Sequence, residues 1–200
     1  MEFGFPISAS GLRVGLLGGS FDPPHAGHLH ISKWALKEFG LDQVWWLVSP
    51  GNPLKIQGPA DFDRRMQACH DLVDHPRILV TDIERRMGTR FTAQSLQKIK
   101  QRYTEHRFVW LMGSDNLAQF HRWDRWADIM NMVPIGVLAR PGEQVAAGCS
   151  PAARRFTRAR LSARRSTALP FRHAPCWSLL TGAMVNMSST QIRASGKWTR

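Results

Sequence analysis

The feature that most constrains the fold of this chain is a rhythm of short apolar runs separated by stretches of helical character. The runs lie at residues 12–17, 44–49, 78–82, 108–112, 135–139 and 177–180. Most are continuous rather than alternating, as expected of strands covered on both faces. Between them, residues 28–39 end before Gly40, a helix-stopping glycine. Residues 61–73 open with an acidic turn. Residues 92–103 read as a helix with Thr92 as N-cap and Ala93, Leu96, Ile99 and Tyr103 on one face, and residues 126–132 as a shorter helix. The alternation implies an α/β, doubly wound, mainly parallel sheet with helices on both faces. In the usual strand order 3-2-1-4-5, ligands sit where that order reverses, at the loops after strands 1 and 4. Those loops are GGSFDPPHAGH (18–28) and GSDNLAQFHRW (113–123), the two most chemically loaded stretches of the chain.

The net charge is +12, but its placement matters more than its size. Arg154, Arg155, Arg158, Arg160, Arg164, Arg165 and Arg172 fall between Ser150 and His173 with no acid among them. Removing these seven leaves about +5, an ordinary value for a soluble domain. The segment at about 149–174 therefore reads as a basic insertion, helical, mobile or both, in a single domain spanning 1–200. Its other readings are an oligomer contact, a lid or a nucleic-acid contact. Only Phe156 and Phe171 interleave the arginines, which supports a base-stacking platform poorly. Cys69, Cys149 and Cys176 are odd in number and widely spaced, forming neither a zinc pattern nor a disulfide framework. Residues 1–11 lack a secretory pattern, and no run approaches the ~18 apolar residues of a membrane span. The expectation is a cytoplasmic protein.

The stretch GGSFDPPHAGHLHIS (18–32) combines paired glycines, paired prolines and three histidines. Gly18 and Gly19 let backbone approach a ligand closely, and Pro23 and Pro24 stiffen the turn that follows. His25 and His28, three apart at a helix start, share a face where free N–H groups attract anions. Phosphate suits this combination. A metal site on His25, His28 and Asp22 would need further ligands that no second cluster supplies. A nucleophile relay would need Ser20 or a cysteine held by a base and an orienting group. The plainest alternative is a strand-to-helix turn with incidental histidines. His30 lies two residues past the pair and reads as structural.

The stretch GSFDPPHAGH resembles the (T/H)xGH signature of the nucleotidyltransferase superfamily, here His25-Ala26-Gly27-His28. The tetrapeptide alone also resembles the HIGH signature of class I aminoacyl-tRNA synthetases. A second landmark, MSSTQIRAS (187–195), is similar to the superfamily's SSTxIR motif, with a helix starting near Ser188. Together with SPGNPLK, GTRFTAQSL, GSDNLAQFHRW and ARPG, these resemble the bacterial nicotinate-nucleotide adenylyltransferases from about residue 12 to 194, excepting 149–174.

The resemblance implies a Rossmann-like fold and the reaction of ATP with nicotinate mononucleotide to give nicotinate adenine dinucleotide and pyrophosphate. Mg²⁺ would arrive on the ATP phosphates, and no protein metal site, membrane or nucleic acid is implied. Catalytic roles fall to His25, His28, Lys55 and Arg193. ATP would be held by Gly18, Gly19, His25, His28, Ser188, Ser189, Thr190 and Arg193. The mononucleotide would be held by Gly19, Ser20, Phe21, Lys55, Thr92, Asp115 and Trp123, with Trp123 stacking on the pyridine and Thr92 bonding its carboxylate. The plain alternatives are a solvated position for Lys55, core packing for Trp123 and an N-cap for Asp115. Two departures stand out: Asn52-Pro53-Leu54-Lys55 replaces the family's PPH(R/K), and Phe91 replaces a common Tyr. Trp45, Trp46, Trp110 and Trp126 read as core or rim. Pantetheine-phosphate adenylyltransferases and cytidylyltransferases are the nearest alternatives, against which Thr92 and Trp123 argue. A homo-oligomer is left open.

Overall fold

The apolar runs become strands because helices cover them on both sides. The computed structural model describes residues 5–7, 9–51, 58–139, 144–182, 185 and 187–200. Its strands are β1 (Arg13–Gly19), β2 (Gln43–Val48), β3 (Ile78–Thr81), β4 (Arg107–Gly113), β5 (Ile135–Leu138), β6 (Arg160–Leu161) and β7 (Trp177–Leu180). They pair in parallel in the order β3-β2-β1-β4-β5-β7-β6, a Rossmann-like sheet in which the order of strand addition reverses between β1 and β4. Helices α1 (Ala26–Glu38) and α2 (Phe62–Leu72) cover one face. On the other lie α3 (Ile83–Met87), α4 (Thr92–Arg102), α5 (Ser114–Gln119), α6 (Trp126–Met132), α7 (Gln144–Gly148) and α8 (Pro151–Arg155). The short α9 (Ser189–Ala194) follows β7.

Successive residues of one strand serve opposite cores. Leu16, Trp45 and Leu47 join Leu96, Ile99 and Ile129 on one side, while Leu17, Trp46 and Val48 join Ile31, Ala35 and Met66 on the other. Trp45, Trp46 and Trp110 are buried, as their sequence context suggested.

Several boundaries differ from the sequence reading. Helix α1 begins at Ala26, two residues early, because His25 itself is the N-cap. At its other end Phe39 is the capping residue and Gly40 follows in the left-handed region, φ +61°. In α4 the N-cap is Phe91, in extended conformation and without a side-chain cap bond, so Thr92 is the first helical residue. Asp115 sits in the first turn of α5 behind an N-cap at Gly113, rather than capping it. The arginine-rich segment is not a simple helical insertion. It contains α8, two stretches of 3₁₀ helix and β6, which lengthens the sheet beside β7. Ala152, Ala153 and Leu169 carry it into both cores, leaving its arginines outside.

One buried chain of hydrogen bonds ties α1 to the sheet just behind the histidines. Trp46 Nε1–H donates to Ser32 Oγ at 2.7 Å, and the Ser32 hydroxyl donates to the carbonyl of His28 at 2.9 Å. Both side chains are fully buried, so losing the acceptor strands the indole N–H. Ser32→Ala is expected to lower the unfolding free energy by about 1–3 kcal/mol, measured as a shifted urea midpoint at unchanged slope.

Candidate active site

The turn after β1 is organised by its two histidines. His25 Nδ1 accepts the backbone N–H of Gly27 at 3.1 Å, and His28 Nδ1 accepts the backbone N–H of His25 at 3.2 Å. The pair forms a reciprocal capping box built from imidazoles, where carboxylate or hydroxyl groups usually serve. An Nδ1 that accepts a hydrogen bond carries no proton, so the geometry assigns each neutral ring its N–H at Nε2. The rings lie 3.9 Å apart between centroids. His25 is buried and His28 half-buried. Gly27 is required at its place: a Cβ there would stand 2.9 Å from the His25 ring. Phe21, at φ +46°, holds a strained left-handed conformation for a non-glycine residue. Its buried ring stacks on Trp46 at 4.8 Å and packs against His28 at 4.8 Å.

The SSTQIR segment docks on this same turn. Ser188 is the N-cap of α9, its hydroxyl accepting from the Gln191 N–H at 3.2 Å. The Ser189 hydroxyl donates to the carbonyl of Pro23 at 2.9 Å. Arg193 donates through Nη1 to the carbonyl of Asp22 and through Nη2 to Thr190 Oγ1 at 3.1 Å. The two motifs, more than 150 residues apart, are thus joined side chain to backbone.

Sequence reasoning missed a residue that fixes the floor of this arrangement. Arg65 of α2 is fully buried, and its Nη1 donates to the carbonyls of Ser20 at 2.6 Å and Ser49 at 2.8 Å. Its Nε donates to the carbonyl of Ala60 at 2.8 Å. One guanidinium therefore clamps the loops after β1 and β2, its fan of donors matched to carbonyls. Burial lowers its pKa from the usual value, with the Asp22 charge opposing. Nothing in the local sequence marks this role, because the carbonyls it binds belong to distant loops.

The loops after β1 and β4 lie side by side. Gly18 stands over Trp110 so closely that a Cβ would meet the indole at 2.5 Å. Trp110 in turn packs edge-on against Trp123 at 6.3 Å. Trp123 is half-buried against Phe120 at 5.2 Å, so it both packs and presents surface. Asp115 and Thr92 are also half-buried, at the first turns of α5 and α4. His30 packs near Trp34, 5.9 Å away. Lys55 lies outside the described residues. Behind Thr92, a buried polar cluster braces the turn between α3 and α4. Ser95 Oγ lies 2.7 Å from Glu84 Oε1 and 2.9 Å from Thr89 Oγ1.

The cytidylyltransferase-like family model matches residues 16–195. A protein of Ruegeria pomeroyi named "Probable nicotinate-nucleotide adenylyltransferase" is 53% identical over 199 residues, covering 100% of this chain and 93% of its own length. One of the same name from Cereibacter sphaeroides is 60% identical over 185 residues, covering 92% and 98%. Among solved structures, the Plasmodium falciparum nicotinic acid mononucleotide adenylyltransferase complexed with NaAD superposes with a TM-score of 0.70 at 15% identity, covering 92% of this chain and 83% of that one. The chain belongs to the nicotinate-nucleotide adenylyltransferase family of cytidylyltransferase-like nucleotidyltransferases.

Glu84 supplies a pH signature for the brace behind Thr92. Burial pushes its carboxyl up from 4.5 to about 7, against the lowering bond to Ser95. The folded protein then keeps a proton that the unfolded chain releases. This contribution to stability is complete below pH 4.5 and is lost as the pH rises through about 7. Glu84→Gln, which keeps an acceptor for Ser95, should flatten that decline, worth on the order of 3 kcal/mol. Thermal unfolding of both proteins from pH 5 to 8 checks it; parallel curves would contradict the assignment.

Proposed function

We infer that this protein transfers the adenylyl group of ATP to nicotinate mononucleotide, producing nicotinate adenine dinucleotide and pyrophosphate in NAD biosynthesis. The observation that carries this reading is the capped histidine pair held against the SSTQIR segment, in a chain of this family. The nucleophile is the mononucleotide phosphate, largely dianionic near neutral pH because its second pKa is about 6. It needs no general base, which accounts for chemistry built from donors and cations rather than from a proton relay. A phosphate oxygen attacks the α-phosphorus, the Pα–O bond to the β-phosphate breaks, and pyrophosphate leaves with the electron pair. Alignment and stabilisation of charge supply the acceleration.

In this reading His25 and His28 donate their Nε2–H groups to the ATP phosphates, with His28 carrying the larger share at the transition state. Gly18 and Gly19 leave room for the triphosphate, and Ser188, Ser189, Thr190 and Arg193 line its far side. The bonds of Ser189 and Arg193 to the turn give them a second task, holding the two motifs in register. The Gly19-Ser20-Phe21 backbone and Lys55 take the mononucleotide phosphate. Asp115 accepts from ribose hydroxyls, Trp123 stacks on the pyridine, and Thr92 binds the carboxylate. The uncapped first turn of α4 favours that carboxylate further.

The donor set fits Mg²⁺ carried by the triphosphate and water. The Asp22 carboxylate beside the histidines already accepts from Ala60, Trp198 and Arg200. Bound there, the ion would neutralise phosphate charge. Among the described residues no helix is long and apolar enough to cross a membrane. The chain is proposed to act as a single domain in the cytoplasm, and self-association is a reading for the arginine-rich face.

With ATP, Mg²⁺ and nicotinate mononucleotide, the protein should release pyrophosphate; no release at high enzyme concentration overturns the reading. His28→Ala should cut kcat by about 10²-fold or more while the fold survives. Trp123→Ala should raise KM for the mononucleotide with little change in KM for ATP, whereas loss of the fold would favour a purely structural tryptophan.

A further inference from the structure

The site contains a polar contact that neither motif accounts for. Asp22 is fully buried, three residues before His25. Its Oδ1 accepts from the backbone N–H of Ala60 at 3.2 Å and from the indole Nε1–H of Trp198 at 2.8 Å. Its Oδ2 accepts from Nε–H of Arg200 at 2.9 Å and stands 3.8 Å from Nη1 of Arg193. The residues after α9 reach Asp22 because Gly196, at φ +74°, turns the chain back on itself. Trp198 is held from its other side by Arg64 of α2, whose guanidinium carbon lies 4.2 Å from a ring centroid. Arg64 Nη1 also donates to the carbonyl of Thr199 at 2.8 Å.

A carboxylate in this position must be paired, since an unpaired buried charge is prohibitive. Burial would raise its pKa, but the bonds from Trp198, Ala60 and Arg200 outweigh that, leaving it below the usual carboxylate range. The same residue offers its main-chain carbonyl to Arg193. Asp22 thus faces two ways: its side chain is held by Trp198 and Arg200, and its backbone holds Arg193 and leads into the His25 cap.

We propose that Trp198 and Arg200 are positioning residues for adenylyl transfer: by gripping the Asp22 carboxylate they keep the turn that carries His25 in register with Arg193. The proposal rests on the phosphate-binding role given above to His25 and Arg193. Neither Trp198 nor Arg200 need touch substrate. Their effect falls on the triphosphate half of the site and spares the pyridine half at Thr92 and Trp123.

Trp198→Phe keeps a ring for Arg64 and removes only the N–H donor. Arg200→Gln removes the charge, and Arg200→Lys restores it in part. Each of the first two is expected to lower kcat/KM for ATP about tenfold, the scale of one charge-assisted hydrogen bond. KM for nicotinate mononucleotide should stay within about twofold, whatever the fall in melting temperature that the loss of one partner of a buried carboxylate brings. Arg200→Lys should recover part of the loss. In an Asp22→Asn background, Trp198→Phe should cost less than it does alone, because the two act through one contact. Variants that match the parent toward ATP overturn the proposal, as does an equal rise in both KM values that tracks a fall in melting temperature. Calorimetric titration of each protein with ATP·Mg²⁺ reads the positioning without turnover and should show the same tenfold weakening. A parent that binds ATP but releases no pyrophosphate would count against the assigned reaction, while the titrations still decide the roles of Trp198 and Arg200.

Discussion

The site depends on one local device, the mutual capping of His25 and His28 at the start of α1. Each ring spends Nδ1 on a backbone N–H, and each is thereby left with its proton on Nε2. A helix start normally leaves N–H groups to be satisfied by a hydroxyl or carboxylate, and a carboxylate here would place negative charge where the proposed reading puts a triphosphate. Imidazoles satisfy the same N–H groups without that charge. Gly27 follows from this choice, since the capping ring occupies the space of its Cβ. So does the Ser32–Trp46 chain, which fixes the same first turn to the sheet from behind.

Around this device the chain is assembled by capture of backbone carbonyls. Arg65 takes those of Ser20, Ser49 and Ala60; Ser189 takes that of Pro23; Arg193 takes that of Asp22. Past the last backbone bond between these strands, from the Ser49 N–H to the Gly19 carbonyl, side-chain donors from α2 and α9 take up carbonyls of the loops after β1 and β2. A charge buried for this purpose is tolerable because guanidinium meets several oxygens at once. The topology brings the parts together: β1 and β4 are neighbours, so the histidine turn lies beside the loop that carries Asp115 and Trp123.

Much of this is legible in the sequence. Continuous apolar runs located β1 to β5 and β7, and the assumed reversal between the first and fourth strands is the observed one. The comparisons bear out the family and the reaction that the motifs implied. What escaped depends on distant partners or on fine local choice. β6 is two residues long and exists only because β7 offers an edge. Thr92 looks like an N-cap by type, yet Phe91 takes the extended position before the helix. Asp115 likewise yields the cap to Gly113. The roles of Arg65, Asp22 and Trp198 are set by contacts spanning tens to more than a hundred residues, which no local pattern encodes. That His25 and His28 cap each other, rather than merely share a face, needed the backbone angles of His25, φ −153° and ψ 167°.

The claim on which the rest turns is the protonation pattern of the histidine pair. It is read most directly by nitrogen-15 NMR of the imidazole side chains at about pH 8, where histidine is ordinarily neutral. His25 and His28 should both appear as Nε2–H tautomers, with Nδ1 in the acceptor range. A proton on Nδ1 of either ring would contradict the capping box and, with it, the proposed donation of both rings to the triphosphate.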